Sequence, residues 1–179
     1  MQNLPEQTEQ GQSVEFRFAV ITMSDKGSRG ERDDTSGAAL KELMMSSGYQ
    51  LCHYSIVPDR IDAIVEAVVT VISREKADLV LTTGGTGVSP SDVTPEAMNQ
   101  VFDKEIPGIG EAMRAASLLI TPRAVLSRGR AGIRNQSLII NLPGSKKAAL
   151  ENINVVLPAL QHALEKIKGS TEDCAQMDR

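Results

Sequence analysis

The segment from Thr82 to Asp92 combines residue types that can hold a phosphate group. It follows a run of apolar residues, and it contains Gly84, Gly85 and Gly87 among threonines. Glycines let successive backbone N–H groups approach an anion closely, and threonine hydroxyls add further donors. The segment lacks both the lysine of a Walker-type phosphate loop and the spacing of a dinucleotide fingerprint, so it supports neither class. A tight strand-to-helix turn without a ligand is the alternative interpretation.

Asp92 favours a metal-bound nucleotide at this segment. Thr94 and Pro95 already supply an N-cap and a proline for the start of the next helix, so that helix does not need Asp92. A carboxylate beside a phosphate would repel it unless a divalent cation lay between the two. Mg²⁺ is commonly held by one or two carboxylates together with substrate phosphates. The sequence therefore predicts a site for a metal and a nucleotide.

The composition is that of one globular domain, with 179 residues of which 41% are hydrophobic. We expect a domain at residues 14–168 between flexible tails at 1–13 and 169–179. No signal peptide or membrane-spanning run is visible, so we expect a cytoplasmic protein that does not contact a membrane. The two cysteines and two histidines lack the spacing of a zinc site or a disulfide framework.

Charge is distributed unevenly along the chain, although the net charge is only −4. Residues 1–111 sum to −9, whereas residues 112–150 carry seven cations and no acidic residue. This block favours an anionic ligand, and solvated or inter-subunit charges are the alternative. Because the chain has no tryptophan and only 3% aromatic residues, it lacks stacking platforms for single-stranded nucleic acid, and a small phosphorylated ligand fits better. The seven cations are Arg114, Arg123, Arg128, Arg130, Arg134, Lys146 and Lys147.

Alternating strand and helix patterns predict an α/β fold. We expect strands at 16–22, 50–57, 79–81, 124–126 and 138–141, and helices starting near 36 and covering 61–72, 110–119 and 145–168, with Pro158 bending or dividing the last. This alternation is typical of a single three-layer, doubly wound, mostly parallel sheet with helices on both faces. Ligands bind such sheets beyond the carboxyl ends of the strands, so the loops that follow the strands should converge. Asp34, Asp59 and Ser145 lie in these loops, where the alternative role is that of helix caps.

Motifs of one known family occur here in the order of that family. They span residues 16–168 and read S-D-K-G-S…D-T-S-G, V-P-D, T-T-G-G-T-G…S-D-V-T-P-E-A, I-P-G-I-G-E-A-M-R, L-S-R…A-G-I-R and I-I-N-L-P-G-S. On these motifs the chain resembles the molybdenum-cofactor biosynthesis family that includes bacterial MogA and MoaB and the G domain of gephyrin. The resemblance implies the doubly wound fold, a homotrimer and transient contact with a molybdenum-insertion protein. In the MogA branch it also implies transfer of AMP from MgATP to the terminal phosphate of molybdopterin, which gives adenylyl-molybdopterin and pyrophosphate.

The resemblance also implies roles for particular residues. Asp59 and Asp92 would be the catalytic carboxylates and would hold Mg²⁺, and Ser127 and Arg128 would contact molybdopterin. No protein nucleophile is needed, because the attacking phosphate is already ionised. The expected nucleotide-binding and phosphate-binding residues are Ser24, Asp34, Thr83, Gly84, Gly85, Thr86, Gly87, Pro143, Gly144 and Ser145.

Ser91 departs from the family pattern, because many adenylylating relatives have arginine immediately before the Asp-Val-Thr-Pro segment. Two other functions are compatible with the motifs. One is a catalytically silent MoaB-like protein that binds molybdopterin or assists assembly, and the other is an enzyme that cleaves a different pyrophosphate-containing nucleotide. The presence of both Asp59 and Asp92 with the intact glycine segment favours the adenylyltransferase.

Overall fold

A single six-stranded sheet forms the centre of the molecule, which we describe from a computed structural model for residues 15–170. Its strands lie in the order β2-β1-β3-β6-β5-β4. The first four of these are mutually parallel, and β5 and β4 extend the sheet in antiparallel pairing. The strands are β1 Arg17–Met23, β2 Gln50–Val57, β3 Leu79–Thr83, β4 Lys104–Glu105, β5 Ala131–Arg134 and β6 Ser137–Leu142. The predicted mostly parallel α/β sheet is thus confirmed, whereas the antiparallel extension was not predicted.

Helices cover both faces of this sheet. They are α1 Asp25–Ser28, α2 Thr35–Ser46, α3 Ile61–Ser73, α4 Thr94–Val101, α5 Pro107–Leu118 and α6 Lys146–Ile167. Helices α2, α5 and α6 pack on one face, and α3 and α4 pack on the other. Strand β3 supplies side chains to both layers, since Leu79 and Leu81 point to the first face and Val80 to the second. A strand covered on both sides is apolar throughout, which explains the continuous hydrophobic run before the glycine segment.

Two predicted elements differ from the structure. Residues 124–126 are not a strand, because Pro122–Leu126 forms a 3-10 turn that begins after Thr121, whose hydroxyl accepts the N–H of Arg123 at 3.4 Å. The last helix is not divided at Pro158 but runs through it from Lys146 to Ile167. No helix within residues 15–170 is both long and apolar enough to cross a membrane. The proposed tails fall almost wholly outside the described residues.

Candidate functional site

The loops that follow β1, β2, β3 and β6 meet at the carboxyl edge of the parallel strands and enclose a cavity of about 400 Å³. We call it the polar cavity. Nine of the residues selected from the sequence line it, namely Ser24, Asp34, Asp59, Thr83, Gly84, Gly85, Asp92, Gly144 and Ser145. The expectation that the strand-end loops converge is therefore met. Arg32, Ser36 and Ser91 also line this cavity, and the sequence analysis assigned no site role to any of them.

The glycine segment needs its first two glycines for steric reasons. Gly84 has φ +105°, and a Cβ atom there would lie 2.4 Å from the carbonyl oxygen of Met23. Gly85 has φ +63°, and a Cβ atom there would lie 2.5 Å from the hydroxyl of Thr94. Both positions are thus closed to other residues. The backbone N–H groups of the four residues 85–88 donate no hydrogen bond to any other residue in the described range, so this turn presents consecutive donors.

The start of α4 differs from the prediction. Thr94 is the first helical residue, and Val93 precedes it as an N-cap that makes no side-chain hydrogen bond. The hydroxyl of Thr94 instead donates to the carbonyl oxygen of Gly84 at 2.9 Å, which fastens the helix to the glycine turn. The N-cap role predicted for Thr94 was therefore wrong. Asp92 Oδ2 accepts the N–H of Ser89 at 2.8 Å, and Asp92 Oδ1 has no partner among the described residues.

Asp59 lies opposite Asp25 in a reciprocal pair of hydrogen bonds. Asp59 Oδ2 accepts the N–H of Asp25 at 2.9 Å, and Asp25 Oδ1 accepts the N–H of Asp59 at 3.1 Å. Burial raises the pKa of the Asp59 carboxyl, and the negative charges of Asp25 and Asp92 raise it further. Asp59 does not cap α3, whose N-cap is Arg60 without a side-chain bond. The alternative role of Asp59 as a helix cap is thereby excluded.

Asp34 and the two site serines combine cavity positions with helix capping. Asp34 Oδ1 accepts the N–H of Gly37 at the start of α2, and its Oδ2 accepts hydroxyl hydrogen bonds from Thr22 at 2.5 Å and Tyr54 at 2.6 Å. Burial and the bond to Asp34 raise the pKa of the Tyr54 hydroxyl well above its usual range. Ser24 caps α1, and Ser145 caps α6. The carboxylate of Asp34 is therefore occupied by protein donors and caps α2, which is the alternative role considered from the sequence. Its bond to Tyr54 could not be predicted, because Tyr54 lies 20 residues away on β2.

A second cavity of about 460 Å³ adjoins the first, and its lining is mainly apolar. We call it the apolar cavity. Four further predicted residues line it, namely Thr86, Gly87, Ser127 and Pro143. Gly85, Asp92 and Gly144 line both cavities and form what we call the shared wall. Thr86, Gly87 and Pro143, which were predicted to bind the nucleotide, thus lie on the same side of this wall as the predicted pterin residue Ser127. The other predicted nucleotide residues lie on the wall or on its polar side.

Arg128 does not line either of these cavities. Its guanidinium donates to the carbonyl oxygens of Gly87, at 2.7 Å, and Asp92, at 2.5 Å, and it forms an ion pair with Glu96. The same group therefore joins the middle and the end of the glycine segment, which runs from Thr82 to Asp92, to α4. The molybdopterin contact that the resemblance implied for Arg128 stays a prediction, and the three nitrogens of this guanidinium already donate to Gly87, Asp92 and Glu96.

The remaining cations of residues 112–150 are also used mostly within the fold. Arg130 pairs with Glu105 at 2.7 Å, and Arg134 donates to the carbonyl oxygen of Val101 at 2.8 Å. Only Arg114 and Arg123 of this block line the apolar cavity, and Arg114 donates to the carbonyl oxygen of Gly129. Within the described residues, the side chains of Arg123 and of the exposed Lys146 make no polar contact, and of these two only Arg123 lines a cavity.

Comparisons with known proteins agree with the fold. Residues 19–162 match the family described as a probable molybdopterin binding domain. A molybdopterin adenylyltransferase of Helicobacter pylori is 44% identical over 87% of this chain and 89% of its own length. A molybdenum cofactor biosynthesis protein B of Bacillus cereus is 40% identical over 83% of this chain and 88% of its own. The crystal structure of MoaB from Thermus thermophilus superposes with a TM-score of 0.81 at 46% identity, covering 87% of this chain and 98% of that one.

Proposed function

The chain belongs to the family of probable molybdopterin binding domains, and we propose that it is a molybdopterin adenylyltransferase. It transfers AMP from ATP to the terminal phosphate of molybdopterin and releases pyrophosphate. The oxygen of the molybdopterin phosphate forms a bond with the α-phosphorus of ATP, and the bond between that phosphorus and the oxygen leading to the β-phosphate breaks. The electron pair of the broken bond leaves with pyrophosphate.

The observation that carries this proposal is the shared wall between the two cavities. A group transfer between two substrates requires that their reacting atoms meet at about van der Waals distance. The polar cavity suits the phosphates of a nucleotide, and the apolar cavity suits a ring system with a phosphate tail near Arg123. Because Gly85, Asp92 and Gly144 line both cavities, substrates placed there meet along this wall.

The backbone provides most of the groups that bind phosphate. The unpaired N–H groups belong to residues 85–88, all of which line the apolar cavity, and Gly85 is also part of the shared wall. Residues at the N-termini of α2 and α6 line the polar cavity. Fixed donors of this kind stabilise charge on the oxygens of the transition state without reorganising. The attacking phosphate is ionised near neutral pH, so no side chain has to remove its proton.

Asp59 and Asp92 are suited to hold Mg²⁺, which would neutralise ATP and the leaving pyrophosphate. Each carboxylate has one oxygen without a partner in the described range. Burial, and after it the charges of Asp25 and Asp92, raise the pKa of Asp59, and a bound cation would oppose that effect. Residues 15–170 contain no group of three or more acidic, histidine or cysteine side chains arranged as a metal site. Two carboxylates suffice for Mg²⁺ when substrate phosphates and water provide its other ligands.

The decisive experiment measures pyrophosphate release and AMP incorporation with ATP, Mg²⁺ and molybdopterin, and compares the unmodified chain with Asp92→Asn. We expect molybdopterin-dependent turnover that a chelator abolishes and that Asp92→Asn lowers by at least about 100-fold, as when one charge-stabilising group is lost. Asp62→Asn is the matched control, because Asp62 is an exposed aspartate on α3 outside both cavities and should leave turnover unchanged. Asp92→Asn should remain folded and bind pterin.

The similarity to MoaB proteins favours a second candidate function, which is to bind molybdopterin without catalysing adenylyl transfer. In the same experiment that protein would bind the pterin and release no pyrophosphate. The third function, cleavage of another pyrophosphate-containing nucleotide, would release phosphate-containing products in the absence of molybdopterin. Each result excludes the other two.

A homotrimer completes the proposal. Exposed apolar residues cluster at the end of α5 and in the following 3-10 turn, and they adjoin the apolar cavity. A soluble monomer rarely exposes so many large apolar side chains together, so this surface is suited to contact another copy of the chain.

A further inference from the structure

We propose that Arg32 binds the β- and γ-phosphates of ATP and stabilises the leaving pyrophosphate. Arg32 lies in the loop between α1 and α2 and lines the polar cavity. This inference rests on the proposed adenylyltransferase function and assigns one of its substrate contacts. No motif marks Arg32, which precedes Asp33 and Asp34 in the loop.

The charge of the polar cavity calls for such a residue. The cavity is lined by the four aspartates 33, 34, 59 and 92, and Arg32 is the only cationic side chain among its described lining residues. A nucleotide triphosphate brings several more negative charges into this space. One divalent cation between Asp59 and Asp92 would offset part of that charge. A guanidinium would offset a further part, and it presents two parallel donors to phosphate oxygens.

Arg32 is available for this contact, unlike its neighbour in the loop. Arg29 is held by Glu31 through two hydrogen bonds, at 2.8 and 3.0 Å. The exposed side chain of Arg32 makes no hydrogen bond, ion pair or ring contact with any other residue in the described range. Its guanidinium is therefore free to turn toward a ligand without breaking an interaction of the fold.

The position of Arg32 distinguishes the β- and γ-phosphates from the α-phosphate. Phosphoryl-type displacements place the attacking and leaving oxygens roughly in line across the phosphorus. The attacking phosphate comes from the apolar cavity, so the α-phosphorus lies at the shared wall and pyrophosphate leaves into the polar cavity. Arg32 lines the polar cavity and is absent from both the shared wall and the apolar cavity. It is thus on the side toward which negative charge moves during the reaction.

Ser91 offers a way to move the guanidinium within the same site. Ser91 lines the polar cavity together with Arg32, and its hydroxyl is engaged only with Ser89 at 3.2 Å. An arginine at position 91 would project into the cavity from the loop of Asp92 rather than from the loop before α2. The double variant Arg32→Ala, Ser91→Arg therefore restores one cation to the cavity from a different direction.

The test measures binding of MgATP and of AMP by calorimetry to the unmodified chain, Arg32→Ala and the matched control Arg29→Ala. We expect Arg32→Ala to weaken MgATP binding by about tenfold, the usual loss for one hydrogen bond to a charged group, and to leave AMP binding unchanged. Arg29→Ala should alter neither. The double variant with Ser91→Arg should regain part of the MgATP affinity.

Equal weakening of AMP and MgATP would overturn the inference, because the guanidinium would then contact the adenosine part. Unchanged MgATP affinity would overturn it as well. The turnover assay separates these results from the proposed function, which fails if the unmodified chain consumes no ATP with molybdopterin. If the unmodified chain turns over and Arg32→Ala keeps both its KM for ATP and its ATP affinity, only the role of Arg32 is refuted.

Discussion

Asp59 is held where its own ionisation is unfavourable. Partial burial removes water from its carboxyl group, and the charges of Asp25 and Asp92 oppose a further negative charge, so its pKa is raised. The unfolded chain has no such effect, and ionising Asp59 therefore costs more in the folded state. This penalty is absent below the ordinary aspartate pKa and grows as the pH rises through the folded-state pKa. In the absence of a bound cation, the ionised carboxylate of Asp59 therefore destabilises the folded state.

We predict that Asp59→Asn raises the melting temperature at neutral pH while it abolishes adenylyl transfer. The amide keeps an acceptor for the N–H of Asp25 and removes the charge, so we expect a rise of about 2 °C at pH 7. The gain should vanish near pH 3, where Asp59 is protonated in both states. Thermal unfolding followed by circular dichroism across this pH range measures both values.

Asp62→Asn is the control, because the pKa of Asp62 is shifted in the opposite direction from that of Asp59. Asp62 lies in the first turn of α3, three residues after Asp59, and its bond with Arg60 lowers its pKa. Removing that charge should not raise the melting temperature at pH 7. A rise in both variants would mean that lower net charge, rather than the surroundings of Asp59, stabilises the protein.

The segment of residues 84–93 depends on one guanidinium for its shape. Arg128 joins the carbonyl oxygens of Gly87 and Asp92 to Glu96 on α4, and so fixes the orientation of the loop that carries Asp92. We predict that Arg128→Met lowers the free energy of unfolding by about 1–2 kcal/mol, since the group is only partly exposed and its partners lose charged donors. The turnover number should fall more than the KM for ATP rises, because the loop is misplaced rather than removed.

Arg134→Met is the matched control for this variant. Arg134 donates to the carbonyl oxygen of Val101 at the other end of α4 and lines neither cavity. It should reduce stability and leave the turnover number of the folded enzyme unchanged. An equal loss of turnover in both variants would show that general stability, and not the position of the loop, limits the reaction.

Most elements of the fold could be predicted because their patterns are local. The apolar runs of β1, β2, β3 and β6 and the helical stripe of α3 are visible in a few consecutive residues. Strands β4 and β5 were missed, since two and four residues are too few to show a period. The residues 124–126 were assigned to a strand on their apolar content alone, although the proline at 122 favours a turn.

Some residues of the candidate site could also be predicted from local patterns, and others could not. The glycines, Asp59 and Asp92 could be selected because each stands in a recognisable segment just after a strand. The roles of Arg128, Tyr54 and Arg32 depend on partners, or on a lack of partners, that only the fold determines. Glu96 lies 32 residues before Arg128, and Asp34 lies 20 residues before Tyr54. From the sequence, Arg128 was one of seven cations in a block without acidic residues, and none of its partners within the fold could be predicted.

At the scale of the molecule, residues 15–170 leave a group of large apolar side chains exposed beside the apolar cavity. The exposed residues are Leu118, Leu119, Ile120, Val125 and Leu126, and Leu119 is 90% exposed. Ile120 and Leu126 also line the cavity proposed for the pterin. Contact with another chain along this surface would therefore remove water from the rim of the cavity at the same time. Assembly and substrate binding would then share some of the same side chains.

We predict that the protein has about three times its chain mass of 19.3 kDa in solution and that Leu119→Asp lowers this mass. A charge at this position would have to be desolvated in an interface, whereas it remains in water on the monomer, so the change should dissociate the assembly without unfolding it. Light scattering measures the mass, and pterin titration of the dissociated chain should give weaker binding than the unmodified protein. Met45→Asp, which alters an exposed methionine on α2, should retain both the mass and the affinity. A monomeric unmodified chain would contradict the assembly, and a dissociated variant with full pterin affinity would show that each cavity is complete within one chain.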